Sequence, residues 1–381
     1  MSNLVCVSHL RWDFVWQRPQ HLLSRLVSQY RVLFVEEPLA TTEDLAPHLE
    51  IFPGKDAPNV TVVRLVQPVW ENRWIGHGDP LTRDTYADLL VEYLKTAGYD
   101  DPILWLYTPM ASDFVPSIKP RLLIVDVMEQ LSAFKGAPPA LIVREESLLC
   151  KADIVFTGGA SLYKAKLPFN PATYLFPSGV DVEHFAEAAT RENFPAPAEL
   201  AALSGPIIGY FGEIDERIDL ELLAYVAKNR PAWNIVLIGP VVKISLDNLP
   251  QAPNLHYLDL KPYDQLPAYL AYFDVALIPF ATNETTRFLS PTKTLEYMAA
   301  HKPIVSTPIK DVIDLYGNVV RVATYPDDFI RHVEAALSED VAWRLPAENK
   351  LLAENTWDNI ALRMGQIIAE AESDTGISAA A

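Results

Sequence analysis

The sequence predicts an α/β protein made of two parallel-sheet domains in tandem. Three observations carry that expectation. Short apolar runs alternate with amphipathic segments along the chain, as in βα units around a sheet covered on both faces. The runs fall into two series, separated by "EAATRENFPAPAELAALSGP", which is rich in Pro and Ala and lacks a strong period, as a linker would. The chain's 381 residues also exceed what one hydrophobic core usually serves.

In the first series the strand candidates are 4–9 ("LVCVSH"), 31–37 ("RVLFVEE"), 60–66 ("VTVVRLV"), 103–107 ("ILWLY"), 121–127 ("RLLIVDV") and 153–157 ("DIVFT"). Helical periodicity lies between most of them, including 19–30 and 81–97. The second series runs through 206–212 ("PIIGYFG"), 234–239, 254–259, 274–280 ("DVALIPF"), 303–307 ("PIVST") and 319–323. The expected division is a first domain over 1–190, a second over 191–355, a helix over 356–372 that packs back across the junction, and a frayed tail over 373–381.

Bulk composition narrows the functions. Half the residues are hydrophobic, so the chain is not disordered. The net charge of −18 is spread over both halves, −6 through residue 191 and −12 beyond it, so nucleic acid is repelled at long range. Two cysteines, Cys6 and Cys150, support neither a disulfide framework nor a zinc site and fit a reducing cytosol. The N-terminus lacks the basic region of a signal peptide, and no stretch has the length of a membrane span. There is no GxGxxG loop, P-loop, HExxH or GxSxG motif, which removes several common α/β chemistries.

One stretch carries a charge that its local structure does not want. "SPTKTLEYMAAHKPIVST" reads as a helix over 291–300 with Ser290 as N-cap and Pro291 at the first position. Lys293 then falls in the first turn, where the helix dipole disfavours a cation by roughly 0.3–1 kcal/mol. The helix would follow the strand 274–280, at the carboxyl edge where open α/β sheets bind ligands. A phosphate there reverses the penalty: N–H groups of Thr292, Lys293 and Thr294 would face it and Lys293 would neutralise it. Glu296 lies about 4.5 Å further along the axis, suited to ribose hydroxyls. The alternative is a solvated Lys293–Glu296 pair. Gly212 marks the turn after 206–212, and Arg217 follows at the expected start of the next helix, a second cation on a neighbouring edge loop. A local salt bridge to Asp215, Glu216 or Asp219 is its alternative. Arg287 is a third candidate cation.

These residues resemble a family. "GVDVEHF", "IIGYFG" followed by Arg217, "NLHYLDLKPYDQLPAYLAYFDVALIPF" and "SPTKTLEYMAAHKPIVST" are similar to the C-terminal half of GT-B glycosyltransferases of the family 4 style, over about residues 175–360. The opening "SHLRWDFVWQRPQHLLSRL" with "RVLFVEEP" resembles a bacterial subgroup linked to cell-surface polysaccharide synthesis. The resemblance implies two Rossmann-like domains facing across a cleft, with a C-terminal helix crossing back. It also implies a nucleotide-sugar donor, expected to be a UDP-sugar, held by the second domain and a saccharide or lipid-linked acceptor bound by the first. No cofactor or metal is implied, the nucleotide sugar being a substrate. Two departures stand out. The family's E-x7-E pair falls on Phe288 and Glu296, so its first glutamate is lost; of its two loop cations, the first is replaced by Glu213 and Arg217 keeps the second.

The first strand candidate ends at His9 and leads into a loop dense in aromatic and polar groups, with His9, Trp12, Gln17 and Arg18 as candidate acceptor contacts. If transfer inverts the sugar, a carboxylate base is needed; Glu129, after the strand 121–127, is the first candidate and Asp13 the second. Retention, usual in family 4, requires none. The expectation is a cytoplasmic glycosyltransferase, with room for peripheral association at the inner face of the membrane. A nucleotide-sugar epimerase of the same fold and a non-catalytic nucleotide-sugar-binding subunit are the alternatives.

Overall fold

The computed structural model describes residues 1–14, 16–69, 75–134 and 136–378. The chain divides into two units. The first comprises Met1–Gly158, Leu162–Phe176 and Trp357–Ala381, and the second Gly159–Ser161 and Pro177–Thr356.

In the first unit the strands are β1 (Ser2–Val7), β2 (Tyr30–Val35), β3 (Leu39–Thr41), β4 (His48–Gly54), β5 (Ala57–Pro68), β6 (Ile103–Leu106), β7 (Leu122–Val127), β8 (Ile154–Thr157) and β9 (Thr173–Leu175). Their order across the sheet is β3-β5-β2-β1-β6-β7-β8-β9, with β4 antiparallel on β5. All other described pairings are parallel, with Val5 beside both Leu33 and Leu104. Leu4, Val5, Cys6 and Val7 are all fully buried, which explains why β1 reads as an unbroken apolar run rather than an alternating one. The hairpin strand β4 and the short β3 and β9 lie outside the predicted set. β4 mixes exposed and half-buried positions and carries Pro53, so it gives no apolar run to read.

The second unit's sheet contains β10 (Ile207–Phe211), β11 (Asn234–Ile238), β12 (Leu255–Leu258), β13 (Val275–Ile278), β14 (Ile304–Ser306) and β15 (Arg321–Val322), in the order β12-β11-β10-β13-β14-β15. All five described pairings are parallel, and each strand falls within a predicted run. In both sheets the order reverses beside the first strand of the unit: β1 meets β6 in one, and β10 meets β13 in the other. Loops leaving neighbouring strands in opposite directions leave a crevice at that point, outside the carboxyl ends.

Two boundary expectations need correction. Val180, Phe185 and Ala188 are buried in the second unit's core, so that unit starts at Pro177 and the predicted division near residue 190 falls inside it. The last helix, Trp357–Ser378, continues through the segment expected to fray. It belongs to the first unit, where Trp357, Ile360, Ala361, Met364 and Ile368 join the core with Leu22, Leu26 and Tyr30. Its hold is also polar: Glu372 accepts from the Tyr30 hydroxyl at 3.2 Å and pairs with Arg121. Residues 379–381 of the expected tail lie outside the described residues.

Candidate functional site

In the second unit, loops from both sides of the β10/β13 reversal are joined. Ala281 N donates to Arg217 O at 2.7 Å, and Asp219 N to Pro279 O at 2.9 Å. Beyond Phe280, Asn283 and the buried Thr286 bond one another: Asn283 N donates to Thr286 Oγ1 at 3.1 Å, and Thr286 N to Asn283 Oδ1 at 3.2 Å. These local bonds fix the approach to Lys293 without a regular element.

Gly212 follows β10 with φ +138°, a conformation L side chains rarely adopt. A Cβ there would lie 2.2 Å from Lys293 Cε and 2.6 Å from Lys293 Nζ. The lysine side chain therefore rests on the space a glycine leaves, with its Nζ 5.6 Å from the centre of the Tyr210 ring. Gly239 repeats the device just after β11, where a Cβ would lie 2.1 Å from Gly212 O. Lys293 and Glu296 are both half-buried. Burial lowers the lysine's pKa, against the opposing pull of Glu296. Burial raises the Glu296 carboxyl from 4.5 to about 7, with Lys293 holding it down.

The helix is shorter than predicted, Lys293–Ala299, and Ser290 is not its cap. Thr292 holds that position in a helical conformation with no side-chain cap. Thr294 N donates to Pro291 O at 3.2 Å, which removes Thr294 from the N–H groups expected to face a ligand. Phe211 N donates to the Tyr297 hydroxyl at 3.1 Å, tying the helix to the end of β10.

Arg217 does not open a helix. That helix starts at Leu220, capped by Asp219, whose side chain accepts from Leu222 N at 2.9 Å. Arg217 stands in the loop before it, with Nε 2.9 Å from Asp215 Oδ2 and Nη2 2.9 Å from Glu213 Oε2. The local salt bridge is thus real, and the guanidinium is matched by two carboxylates. Arg287 is exposed on its own loop, 3.6 Å from Glu284 and over the Phe288 ring. The cluster at Gly212 consists of Tyr210, Glu213, Asp215, Arg217, Lys293 and Glu296, each acting electrostatically on others of the group.

At the β1/β6 reversal of the first unit, several sequence candidates turn out to be structural. Trp12 is buried, packs on Phe34, and donates through its backbone N to Glu36 Oε1 at 2.7 Å and through Nε1 to Lys55 O at 3.0 Å. Gln17 caps the helix Arg18–Leu26 in a reciprocal pair with Gln20. Arg18 is a buried ion-pair partner, its Nε 3.0 Å from Asp126 Oδ2 and its Nη1 donating to Phe176 O at 2.8 Å. Trp12 and Arg18 are sealed in protein, and Gln17 is engaged in the helix cap. Asp13 is exposed and accepts from Lys55 N at 3.3 Å, a turn contact rather than the setting of a base. Glu129 is half-buried in the loop after β7.

His9 stands at the predicted place. It is half-buried, its Nδ1 has no hydrogen-bond partner, and burial lowers its pKa to about 4. The reading of the sequence missed its neighbours. Arg11 donates to Glu36 Oε2 at 3.2 Å, Glu37 O at 2.6 Å and Pro38 O at 3.0 Å. Burial lifts Glu37 to about 7, with Arg11 opposing. His77 is fully buried, its Nε2 is 3.0 Å from Ser8 O, and burial takes it to about 4. The paired glutamates closing a strand and the Gly-His-Gly tripeptide were the available signals. Among the described residues no group of three His, Cys, Asp or Glu is placed to hold a metal ion, and no helix is long and apolar enough to cross a membrane.

Two consecutive α/β units with these sheet orders have the fold of the GT-B glycosyltransferases. Sucrose-phosphate synthase from Thermosynechococcus elongatus superposes with a TM-score of 0.75 at 15% identity, over 98% of this chain and 100% of that one. The UDP-forming α,α-trehalose-phosphate synthase from Burkholderia xenovorans, in complex with glucose-6-phosphate, gives 0.70 at 12% identity, over 98% and 100%. Within the second unit, residues 205–339 match the family described as Glycosyl transferases group 1, so this unit carries a group 1 domain. TuaH of Bacillus subtilis (strain 168), named as a teichuronic acid biosynthesis glycosyltransferase, is 23% identical over 212 residues, 54% of this chain. The chain spans about half (52%) of that relative's length.

Proposed function

We propose that this chain is a metal-independent glycosyltransferase that moves a hexosyl group from a UDP-sugar to a hydroxyl of a saccharide or lipid-linked acceptor, in the synthesis of a surface polysaccharide. The observation that carries the reading is the Lys293 side chain laid over Gly212 at the strand reversal of the group 1 domain. The two comparisons that name UDP-forming sugar transfer and teichuronic acid synthesis support the substrate classes.

In the reaction the bond from the sugar's anomeric carbon to the diphosphate oxygen breaks and a bond to the acceptor oxygen forms. The leaving diphosphate gains a negative charge as the hydroxyl loses its proton. Lys293 is positioned as the countercharge, in a half-buried setting where Coulomb attraction is screened less than in water. Arg217, already matched by Asp215 and Glu213, orders the loop and contributes less to the charge balance. Glu296 would accept from ribose hydroxyls. His9 would line the acceptor side, and Glu129 would be the first candidate for the base if transfer inverts the sugar. The chain would work in the cytoplasm, meeting a lipid-linked acceptor at the inner face of the membrane.

Calorimetric titration with UDP, followed by UDP release from a panel of UDP-sugars, tests this reading. Lys293→Ala should weaken UDP binding at least ten-fold and Arg217→Ala less. An affinity for UDP within a factor of two of the parent in Lys293→Ala removes the diphosphate assignment. Binding without turnover on any donor–acceptor pair replaces the enzyme with a nucleotide-sugar-binding subunit.

A further inference from the structure

We propose that Tyr297 is a positioning residue for donor binding: its buried hydroxyl fixes the height and rotation at which the helix Lys293–Ala299 presents Lys293. This rests on the reading of Lys293 as the countercharge of the diphosphate, and it adds a group that itself touches no substrate.

One side of β10 runs out of partners before the strand ends. With β11 the pairing continues to the last residue, Phe211 beside Ile238, but with β13 it stops at Gly209 beside Ala276. Gly212 N donates to Ile238 O at 2.8 Å, toward β11. Successive amides of a strand point to opposite sides, so Phe211 N faces the β13 side, where the ladder has ended. Phe211 is buried, and an amide buried there needs an acceptor. The Tyr297 hydroxyl is that acceptor, at 3.1 Å, so a helix side chain completes the strand at the point of reversal.

Tyr297 is fully buried, and its ring meets the Phe211 ring edge-on with centres 5.0 Å apart. It follows Lys293 by four residues, one turn on along the same face. The two side chains therefore meet two consecutive residues of the chain, Tyr297 at Phe211 and Lys293 at Gly212. Attachment at two points one turn apart fixes both the rotation of the helix and its displacement along its axis. The helix cannot do this for itself. It has seven residues and no side-chain cap at its start, too little to hold its own geometry. Leu295 and Met298 are fully buried and bind it to the core, but apolar contact has no preferred direction. Phenylalanine at 297 would keep the ring and leave Phe211 N without its acceptor. The strand end would turn to find another, and Gly212, the next residue, would carry the seat of Lys293 with it.

The test is calorimetry with UDP on the full chain, Tyr297→Phe, Lys293→Ala and the double variant, at a temperature where thermal melts show all four folded. Tyr297→Phe should raise the Kd for UDP at least five-fold. In the Lys293→Ala background the same change should alter Kd less than two-fold, because no lysine is left to misplace. A smaller rise in Tyr297→Phe overturns the proposal. So does an equal loss in both backgrounds, which is what a merely structural hydroxyl would give. If Tyr297→Phe does not fold, hydrogen exchange on the unaltered chain decides. UDP should slow the Phe211 amide at least five-fold more than the Val236 amide in β11, and equal slowing overturns the proposal. A chain that binds no UDP, or binds it equally well as Lys293→Ala, ends the donor reading and this inference with it. UDP binding that depends on Lys293 but not on Tyr297 ends this inference alone.

Discussion

Replacing Gly212 by alanine should cost this protein its nucleotide before it costs its fold. The new methyl would lie 2.2 Å from Lys293 Cε, 2.6 Å from Lys293 Nζ and 2.8 Å from the Tyr210 hydroxyl. Tyr210 cannot yield easily, because its hydroxyl donates to Glu213 O at 3.0 Å and its ring is buried. The lysine, a flexible chain, is the part that moves. Holding alanine at φ +138° adds a backbone cost of about 1–3 kcal/mol. A charge-assisted hydrogen bond is worth about 1.5–3 kcal/mol, so displacing the ammonium should raise the Kd for UDP by roughly 10–150-fold. Calorimetry on Gly212→Ala, Lys293→Ala and the double variant closes a cycle. If Gly212 acts by seating Lys293, the double variant binds UDP no more weakly than Lys293→Ala alone. Unchanged UDP affinity in Gly212→Ala, or losses that simply add, would falsify the idea that the glycine exists to seat the lysine. Thermal melts on the same samples separate this from the backbone cost, which lowers stability in both backgrounds.

Two further outcomes follow from buried charge. Asp126→Asn leaves the Arg18 guanidinium, 1% exposed, without its counter-ion and should destabilise the chain by about 3–5 kcal/mol in urea denaturation; replacing both partners by apolar residues should cost clearly less, and equal losses would contradict the pairing argument. Because burial raises Glu296 from 4.5 to about 7, the folded chain holds that proton more tightly than the unfolded chain, so the contribution favours folding below about pH 4.5 and is lost as pH rises toward 7. Glu296→Gln should therefore be the more stable protein at about pH 8, by up to about 3 kcal/mol, with the gap closing near pH 4.5; a gap that is flat with pH would show that the carboxyl is not strained.

How much of this could be read in advance depended on what each residue's neighbours were. The six strands of the second unit are continuous apolar runs because both faces of that sheet are covered, and a run of that kind is legible in one dimension. The hairpin strand β4 is half-exposed and interrupted by Pro53, so it carried no such signal. Lys293 was found because a cation in a first helical turn is anomalous wherever the helix lies. Trp12, Gln17 and Arg18 were misread for the converse reason. Their residue types suit a saccharide as well as they suit a folded loop, and only the positions of Glu36, Lys55, Asp126 and Phe176 decide which. His77 stands out in the sequence only as the middle of a Gly-His-Gly tripeptide, and its partner, Ser8 O, is 69 residues away.

By itself, then, the sequence determined the two α/β units, most of their strands along the chain, and a helix with a lysine in its first turn. These depend on local composition and periodicity, which each segment carries alone. The tertiary structure decided that Arg217 is balanced by Asp215 and Glu213 and that Arg18 is sealed against Asp126. Whether a charged side chain is available to a ligand depends on which distant groups the fold brings to it, and no local pattern encodes that.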